Sequence, residues 1–424
     1  MKISKKNLIW TLLLSYILIY TLMRPFFMGY VSGYCKYLFL ILVLVIVLLS
    51  IASKRCVNTI GSTELLLLFL LYIYVLINAW WYGGLELGEM ALSAYVLYTF
   101  PILVFPFLSN KIKWINVLKF LAYFGVVDSG ISIIEFVTRQ RLFPKAGIEG
   151  DIDLTTSAGT HIVRTYGLQG SFFILAEVLC LCGFAAWYLY RFHKKNIYLL
   201  CWLMITAGIL CTGSRGYYVA YFAGIVVMFI CEGAVDKSRK KITVSKFLFF
   251  ALIVLIALAM VYVVFFSDIM TGISNIDVVI TRMRMIVDWE VDSANLNRMK
   301  IWNWAINYWG ESFLTGHGAC CTELGYSGYI SVTESGVLKR LVELGIVGTI
   351  LQYATMIIPI ARGIKKIRAN KSDTVSLVAI GIIAAYFIED CILQRYTSPE
   401  FTIILWFAIA YIAYADKDYQ KQIA

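Results

Sequence analysis

The sequence predicts an all-α polytopic membrane protein, with about twelve transmembrane helices and one long extracytoplasmic loop that contains short helices. Three observations predict it. Hydrophobic residues fill 60% of the 424 positions and the mean hydropathy is +0.78, the composition of a chain solvated largely by lipid. Apolar runs approaching the roughly 20 residues that a spanning helix needs recur along the chain, and backbone groups in hydrocarbon are satisfied only within such a helix. A single long polar excursion, 267–340, interrupts the pattern.

The expected spans lie at about 8–23, 37–52, 65–82, 90–108, 115–138, 168–190, 197–212, 216–231, 247–266, 341–361, 375–393 and 399–415. The chain 1–424 reads as one integral membrane domain, with a smaller external loop at 139–167 and the large one at 267–340, between the ninth and tenth spans. Lys and Arg concentrate in alternate connections, most heavily at Lys237–Lys246 and Arg362–Lys371. Cytoplasmic loops retain positive charge, so both termini are expected in the cytoplasm. The net charge of +11 then reflects topology and attraction to anionic membrane lipids, and no nucleic-acid partner is expected.

The first apolar run is followed by Arg24, Pro25 and two Phe, with no small-residue cleavage site, and reads as a retained helix. Trp80, Trp81 and Tyr82 mark an outer interface. Asp128 and Glu135 are seven residues apart and share one face of the fifth helix. Intramembrane carboxylates are expensive, so these two either hydrogen-bond a neighbour or take part in catalysis. Most of the ten cysteines fall in or beside spans; Cys320 and Cys321 are external but lack zinc-ligand spacing, and neither a metal nor a cofactor is expected.

Outside the spans, a few residues stand out. Arg164 precedes the sixth span, where a guanidinium forks onto phosphate or snorkels to lipid headgroups. The hairpin Cys211–Gly216 leaves almost no loop, so Arg215 sits at the membrane boundary. The stretch 294–309 is expected to form an amphipathic surface helix, with Arg298, Trp302, Ala305 and Trp309 on one face. Its indoles suit either interfacial anchoring or stacking on sugars, and Arg298 is open to a cation–π pair with Trp302. Ser331 to Glu334 has the S-x-x-E form of a capping box opening the tenth helix. His317 lies between Gly316 and Gly318. Glu177, Glu389 and Asp390 are intramembrane carboxylates that point to a competing class, a secondary transporter or flippase.

Together these residues form a pattern that resembles the O-antigen polymerases (Wzy) and O-antigen ligases (WaaL), bacterial membrane glycosyltransferases that use lipid-linked sugars. The resemblance rests on four places: Arg164 with Gly167 as R-x-x-G; Thr212–Gly216 as T-G-S-R-G; Arg298 to Trp302 leading to Gly316, His317 and Gly318; and Leu338–Gly348 as L-x-x-L-V-E-L-G-x-x-G. One departure is clear. Where the ligases place His-Asn and then Tyr, this chain has Glu334, Ser335 and Val337, which is compatible with a polymerase.

The resemblance implies an undecaprenyl-pyrophosphate-linked oligosaccharide as substrate, the bacterial cytoplasmic membrane as location, and flippase and chain-length-regulator partners. It implies polymerisation of repeat units for O-antigen, capsule or exopolysaccharide, with ligation to a lipid or protein acceptor as the alternative. Pyrophosphate is already a good leaving group, so the chemistry needs charge neutralisation more than a strong acid. Arg215, Arg298 and Arg164, with Arg282 or Arg284, are the candidate pyrophosphate ligands, because Arg stays charged when partly desolvated. A sugar hydroxyl needs a base in the transition state, and Glu334 and His317 are the candidates. Trp302 and Trp309 are candidate glycan platforms. For Glu334, capping and catalysis both remain open, because a helix N-terminus stabilises the ionised carboxylate.

Overall fold

The computed structural model describes residues 5–31, 34–51, 60, 62–108, 113–144, 153–155, 161–235, 274–284, 293–369, 375–394 and 399–414. Its helices are α1 Lys5–Phe26, α2 Cys35–Ile51, α3 Ser62–Ala91, α4 Pro101–Leu108, α5 Trp114–Thr138, α6 Phe172–His193, α7 Asn196–Cys211 and α8 Arg215–Val235. They continue with α9 Ser274–Arg284, α10 Ser293–Glu311, α11 Gly336–Ala369, α12 Ser376–Ile392 and α13 Pro399–Tyr414. One antiparallel two-stranded ladder, β1 Asp153–Thr155 with β2 His161–Val163, lies in the loop between α5 and α6 and pairs Leu154 with Ile162.

The architecture is that of an all-α membrane protein, but the helices of the described residues do not amount to twelve spans. Among the described residues, five helical runs are long and apolar enough to cross a membrane: Thr63–Pro106, Trp114–Thr138, Phe172–His193, Arg215–Glu232 and Gly336–Lys365. Cys35–Ser50, Asn196–Cys211 and Glu400–Tyr414 are apolar but shorter. The difference is physical. Sequence windows register apolar residues, whereas the backbone decides where helices begin and end. The expected spans 65–82 and 90–108 fall in one 44-residue run. Asn196–Cys211, at 16 residues, rises only about 24 Å against a hydrocarbon core of about 30 Å. The expected span 247–266 lies outside the described residues.

α6 is the most enclosed of the five, with 78% of its apolar window buried. It packs against α5 and α7 on one side and α8 and α12 on the other, while α3 and α13 flank α11. Ion pairs tie the helix ends. Arg24 meets Glu400 at 3.3 Å, Arg191 meets Glu232 at 2.9 Å, and Glu64 accepts from Arg362 at 2.9 Å and from the Tyr414 hydroxyl at 2.6 Å.

A break in α11 carries the greatest structural consequence. Gly345 adopts φ 63°, ψ −172°, in the left-handed half of the map. The break frees carbonyls and amides that a continuous helix would pair internally. The 312–318 segment takes them up: His317 and Gly318 N–H donate to Val342 and Glu343 carbonyls at 2.8 and 3.1 Å, and Ile346 and Val347 N–H donate to Phe313 and Leu314 carbonyls at 3.0 and 3.3 Å. Tyr74 and Asn78 of α3 brace the junction, donating to Leu344 and Thr315 carbonyls at 2.7 Å each. A side chain at Gly345 would strike the Leu314 carbonyl as well as strain φ. Gly345→Ala is therefore expected to cost about 1–3 kcal/mol; thermal unfolding of purified protein in detergent should show a fall in midpoint of several degrees, and an unchanged midpoint would refute the interlock.

Candidate functional site

The site is built from segments that meet at the end of the bundle where α6, α8 and α11 begin. Asp128 and Glu135 of α5, both fully buried, hold the segment that follows Arg164. Glu135 accepts from the N–H of Tyr166 at 2.8 Å, Gly167 at 2.9 Å and Leu142 at 3.0 Å. Asp128 accepts from Leu168 N–H at 2.9 Å and from the Gln169 amide at 3.4 Å. Of the two alternatives for these carboxylates, hydrogen bonding to a neighbour is what the geometry contains. Gly167 makes it possible: its φ is 56°, and a Cβ there would lie 2.5 Å from Asp128 Oδ1. With the backbone so anchored, the Arg164 guanidinium lies 4.2 Å over the Phe172 ring.

The turn between α7 and α8 docks on this segment. The Thr212 hydroxyl donates to Ile209 carbonyl at 2.6 Å and accepts from Ser214 N–H at 3.3 Å. Gly213 approaches so closely that a Cβ would stand 2.8 Å from the Val163 carbonyl and 3.6 Å from Arg164 Cγ. Arg215 opens α8 directly after this contact and is half-buried. Val278 and Val279 of α9 pack into the same apolar cluster as Val163, Phe172 and Cys211. The structure thus brings Arg164, Arg215 and the helix ending in Arg284 to one corner. The Arg282 side chain lies outside the described residues.

α10, expected at 294–309, spans Ser293–Glu311. Arg298 Nε donates to Glu334 Oε2 at 3.2 Å, and Trp302 Nε1 donates to the Glu334 carbonyl at 3.1 Å. Arg298 thus grips a carboxylate. The capping-box expectation fails here. α11 begins at Gly336, Ser335 Oγ accepts from Leu338 N–H at 3.5 Å, and Glu334 precedes the helix in a left-handed conformation, φ 53°. A capping glutamate must lie inside the first turn; Glu334 lies before it. Farther along α10, Trp309 Nε1 donates to the Phe313 carbonyl at 3.0 Å. His317 stacks on Tyr308, 3.8 Å between ring centroids, with its Nε2 2.7 Å from the Tyr308 carbonyl. Ten residues separate Arg298 from Tyr308, about 15 Å along the helix axis. The two candidate bases, Glu334 and His317, therefore stand at different ends of α10 and do not converge.

The end of α12 joins the two corners. A Cβ on Gly216 would lie 3.0 Å from Glu389 Oε2, and Gly336 abuts the Asp390 carboxylate. Gly336 N–H donates to the Leu393 carbonyl at 3.1 Å, and Thr333 donates to Gln394 Oε1 through its N–H at 2.9 Å and its hydroxyl at 2.8 Å. Beneath lie two buried cations that sequence reasoning left without a role. Arg340 donates to Asp390 Oδ2 at 2.6 Å, Gln352 at 3.0 Å and Tyr386 at 2.5 Å. Lys339 pairs with Glu343 at 2.9 Å and with Glu323, while Glu343 also accepts from Tyr95 at 2.7 Å and Thr322 at 2.6 Å. The signal was available, because charges entering an apolar helix require partners. Burial pushes the Cys320 and Cys321 thiols up from their ordinary range, which keeps them protonated and unreactive.

This end of the molecule therefore offers arginines from three separate segments, a half-exposed carboxylate in contact with one of them, and half-buried indoles alongside. Such an arrangement can bind a polyanion and receive a proton. No curated protein matches the chain. The family model Wzy_C, described as O-antigen ligase, matches residues 199–353, a stretch that contains the 211–216 turn, α10, Glu334 and the α11 break. Arg164 lies outside it and reaches the site through the contact with Gly213. Over that stretch the chain is similar to the O-antigen ligase family, which supports a place in the O-antigen polymerase/ligase superfamily.

Proposed function

We propose that the chain polymerises undecaprenyl-pyrophosphate-linked oligosaccharide repeat units at the outer face of a bacterial cytoplasmic membrane, with both termini cytoplasmic and 139–167 and 267–340 as the external loops of one membrane domain. The observation that carries this reading is the seating of Gly213 on the Val163 carbonyl, which gathers Arg164 and Arg215 beside the α9 helix that ends in Arg284. A corner of guanidiniums suits the pyrophosphate of the donor. Arg298, one contact from Glu334, extends that charge toward the acceptor.

In the proposed step the acceptor sugar hydroxyl attacks the anomeric carbon of the growing glycan. The bond from that carbon to the pyrophosphate oxygen breaks, and its electron pair leaves with the lipid pyrophosphate. Glu334 takes the hydroxyl proton. Negative charge grows on the pyrophosphate as the bond breaks, and preoriented arginines stabilise it there. Trp302 and Trp309 offer ring faces to the glycan, and His317, stacked on Tyr308 at the far end of α10, shapes the path of acceptor entry. A flippase that delivers the lipid-linked unit and a chain-length regulator are the expected partners.

Ligation is the second reading, favoured by the description of the matched family model. Glu334 in the position where the resembled ligases carry His supports polymerisation. Surface glycan from a deletion strain separates the two: single repeat units attached to their final acceptor are expected for a polymerase, and long lipid-linked chains that never reach the acceptor would establish a ligase. Arg215→Ala and Arg298→Ala should each reduce elongation about 10²–10³-fold at normal protein level; full-length glycan in either strain would defeat the pyrophosphate assignment. Glu334→Gln is expected to cut turnover about 10²–10⁴-fold with little change in thermal stability, and retained turnover would remove Glu334 as the base.

A further inference from the structure

The contact between Arg298 and Glu334 joins two groups that the proposed reaction needs apart. Arg298 cannot give its full donor set to a pyrophosphate while its Nε serves Glu334 at 3.2 Å. Glu334, meanwhile, has its Oε2 occupied by that guanidinium and cannot turn this oxygen to an incoming hydroxyl. Two other ion pairs at this end are built to stay closed. Arg340 with Asp390 and Lys339 with Glu343 have side chains at most 1% exposed, and opening either would strand a buried charge. The Arg298 and Glu334 side chains are 19% and 34% exposed, the range in which a pair contributes little and exchanges partners readily. Glu334 is also held at φ 53°, a conformation that non-glycine residues adopt when their surroundings impose it. Trp302, one turn along α10 from Arg298, bonds the Glu334 carbonyl. The backbone of Glu334 thus stays fixed to α10 whichever partner its carboxylate has.

We infer that this pair is a donor-operated latch: pyrophosphate draws Arg298 away from Glu334, and only then is the Glu334 carboxylate released to accept the proton of the incoming sugar hydroxyl. The inference rests on the donor-site reading above and adds to it an order of events, with donor bound before the acceptor is activated. A diphosphate carries more negative charge than one carboxylate and offers more oxygens to a forked donor, so the exchange runs in its favour. Trp302 keeps Glu334 within reach of the vacated position. The carboxylate therefore competes with the donor for Arg298 in the resting enzyme.

That competition makes a measurable prediction of unusual sign. Removing the negative charge of Glu334 should strengthen donor binding while it cuts turnover. Wild-type protein, Glu334→Gln, Arg298→Ala, the Glu334→Gln/Arg298→Ala double variant and Arg215→Ala, each in lipid nanodiscs, would be titrated with inorganic pyrophosphate by calorimetry, with thermal unfolding confirming that each variant is folded. Glu334→Gln is expected to bind about two- to fivefold more tightly than wild type, matching the modest strength of a partly exposed pair. In the Arg298→Ala background the same substitution should change affinity by less than twofold, because the competitor has no arginine to withhold. Equal or weaker binding by Glu334→Gln, together with lost binding in Arg215→Ala, overturns the latch and leaves the donor site standing. Binding that is absent in the wild type, or indifferent to Arg215→Ala, overturns the donor site and the latch with it.

Discussion

The break in α11 at Gly345 is the constraint on which this end of the molecule depends. A straight helix would bond Val342 and Glu343 carbonyls to its own next turn. Here those carbonyls receive His317 and Gly318, and the amides beyond the break return to Phe313 and Leu314. Four backbone bonds thus weld the segment after α10 onto α11. The weld explains why two glycine-containing stretches far apart in sequence belong together: Gly316 lies against Glu343 and Gly345 so closely that no side chain would fit. It also fixes α10, which carries Arg298 and Trp302 back to Glu334 just before the same helix.

Around this weld the polar core is divided by exposure. Asp128 and Glu135 spend their oxygens on backbone N–H groups, and Lys339, Arg340, Glu343 and Asp390 are paired out of contact with water. Such groups specify geometry, because each would be costly to leave alone. Arg298 and Glu334 are paired where solvent reaches them. The same chemistry therefore serves two ends, rigid support where it is buried and exchangeable contact where it is open. Glu389 and Asp390, consecutive on α12, touch both corners of the site, so a single helix end contacts both.

Much of the fold was legible because its signals are local. Apolar runs announced helices, and the 3.6-residue period placed Arg298 and Trp302 on one face of α10, which forms over nearly the expected residues. The number of spans was not legible. Helix ends depend on backbone breaks such as Gly84 and Gly345 and on tertiary partners, neither of which alters the hydropathy of a window. The S-x-x-E pattern at Ser331 misled for a similar reason: capping requires Glu334 inside the helix, and the left-handed turn at Glu334 pushes the helix start to Gly336.

For the site, the sequence by itself determined the chemical inventory: arginines at the edges of apolar runs, an aromatic amphipathic helix, and a glutamate near the start of the next helix. It did so because residue type and short-range period are written in order along the chain. Tertiary structure decided which of these meet. It seated Gly213 on the Val163 carbonyl, set Arg298 on Glu334 and sent His317 to Tyr308 instead. It also gave Asp128 and Glu135 backbone partners and gave Arg340 the Asp390 carboxylate. Apart from His317 on Tyr308, nine positions apart, these outcomes turn mainly on contacts between residues tens of positions apart, where the distance in space is set by packing and is not encoded in spacing.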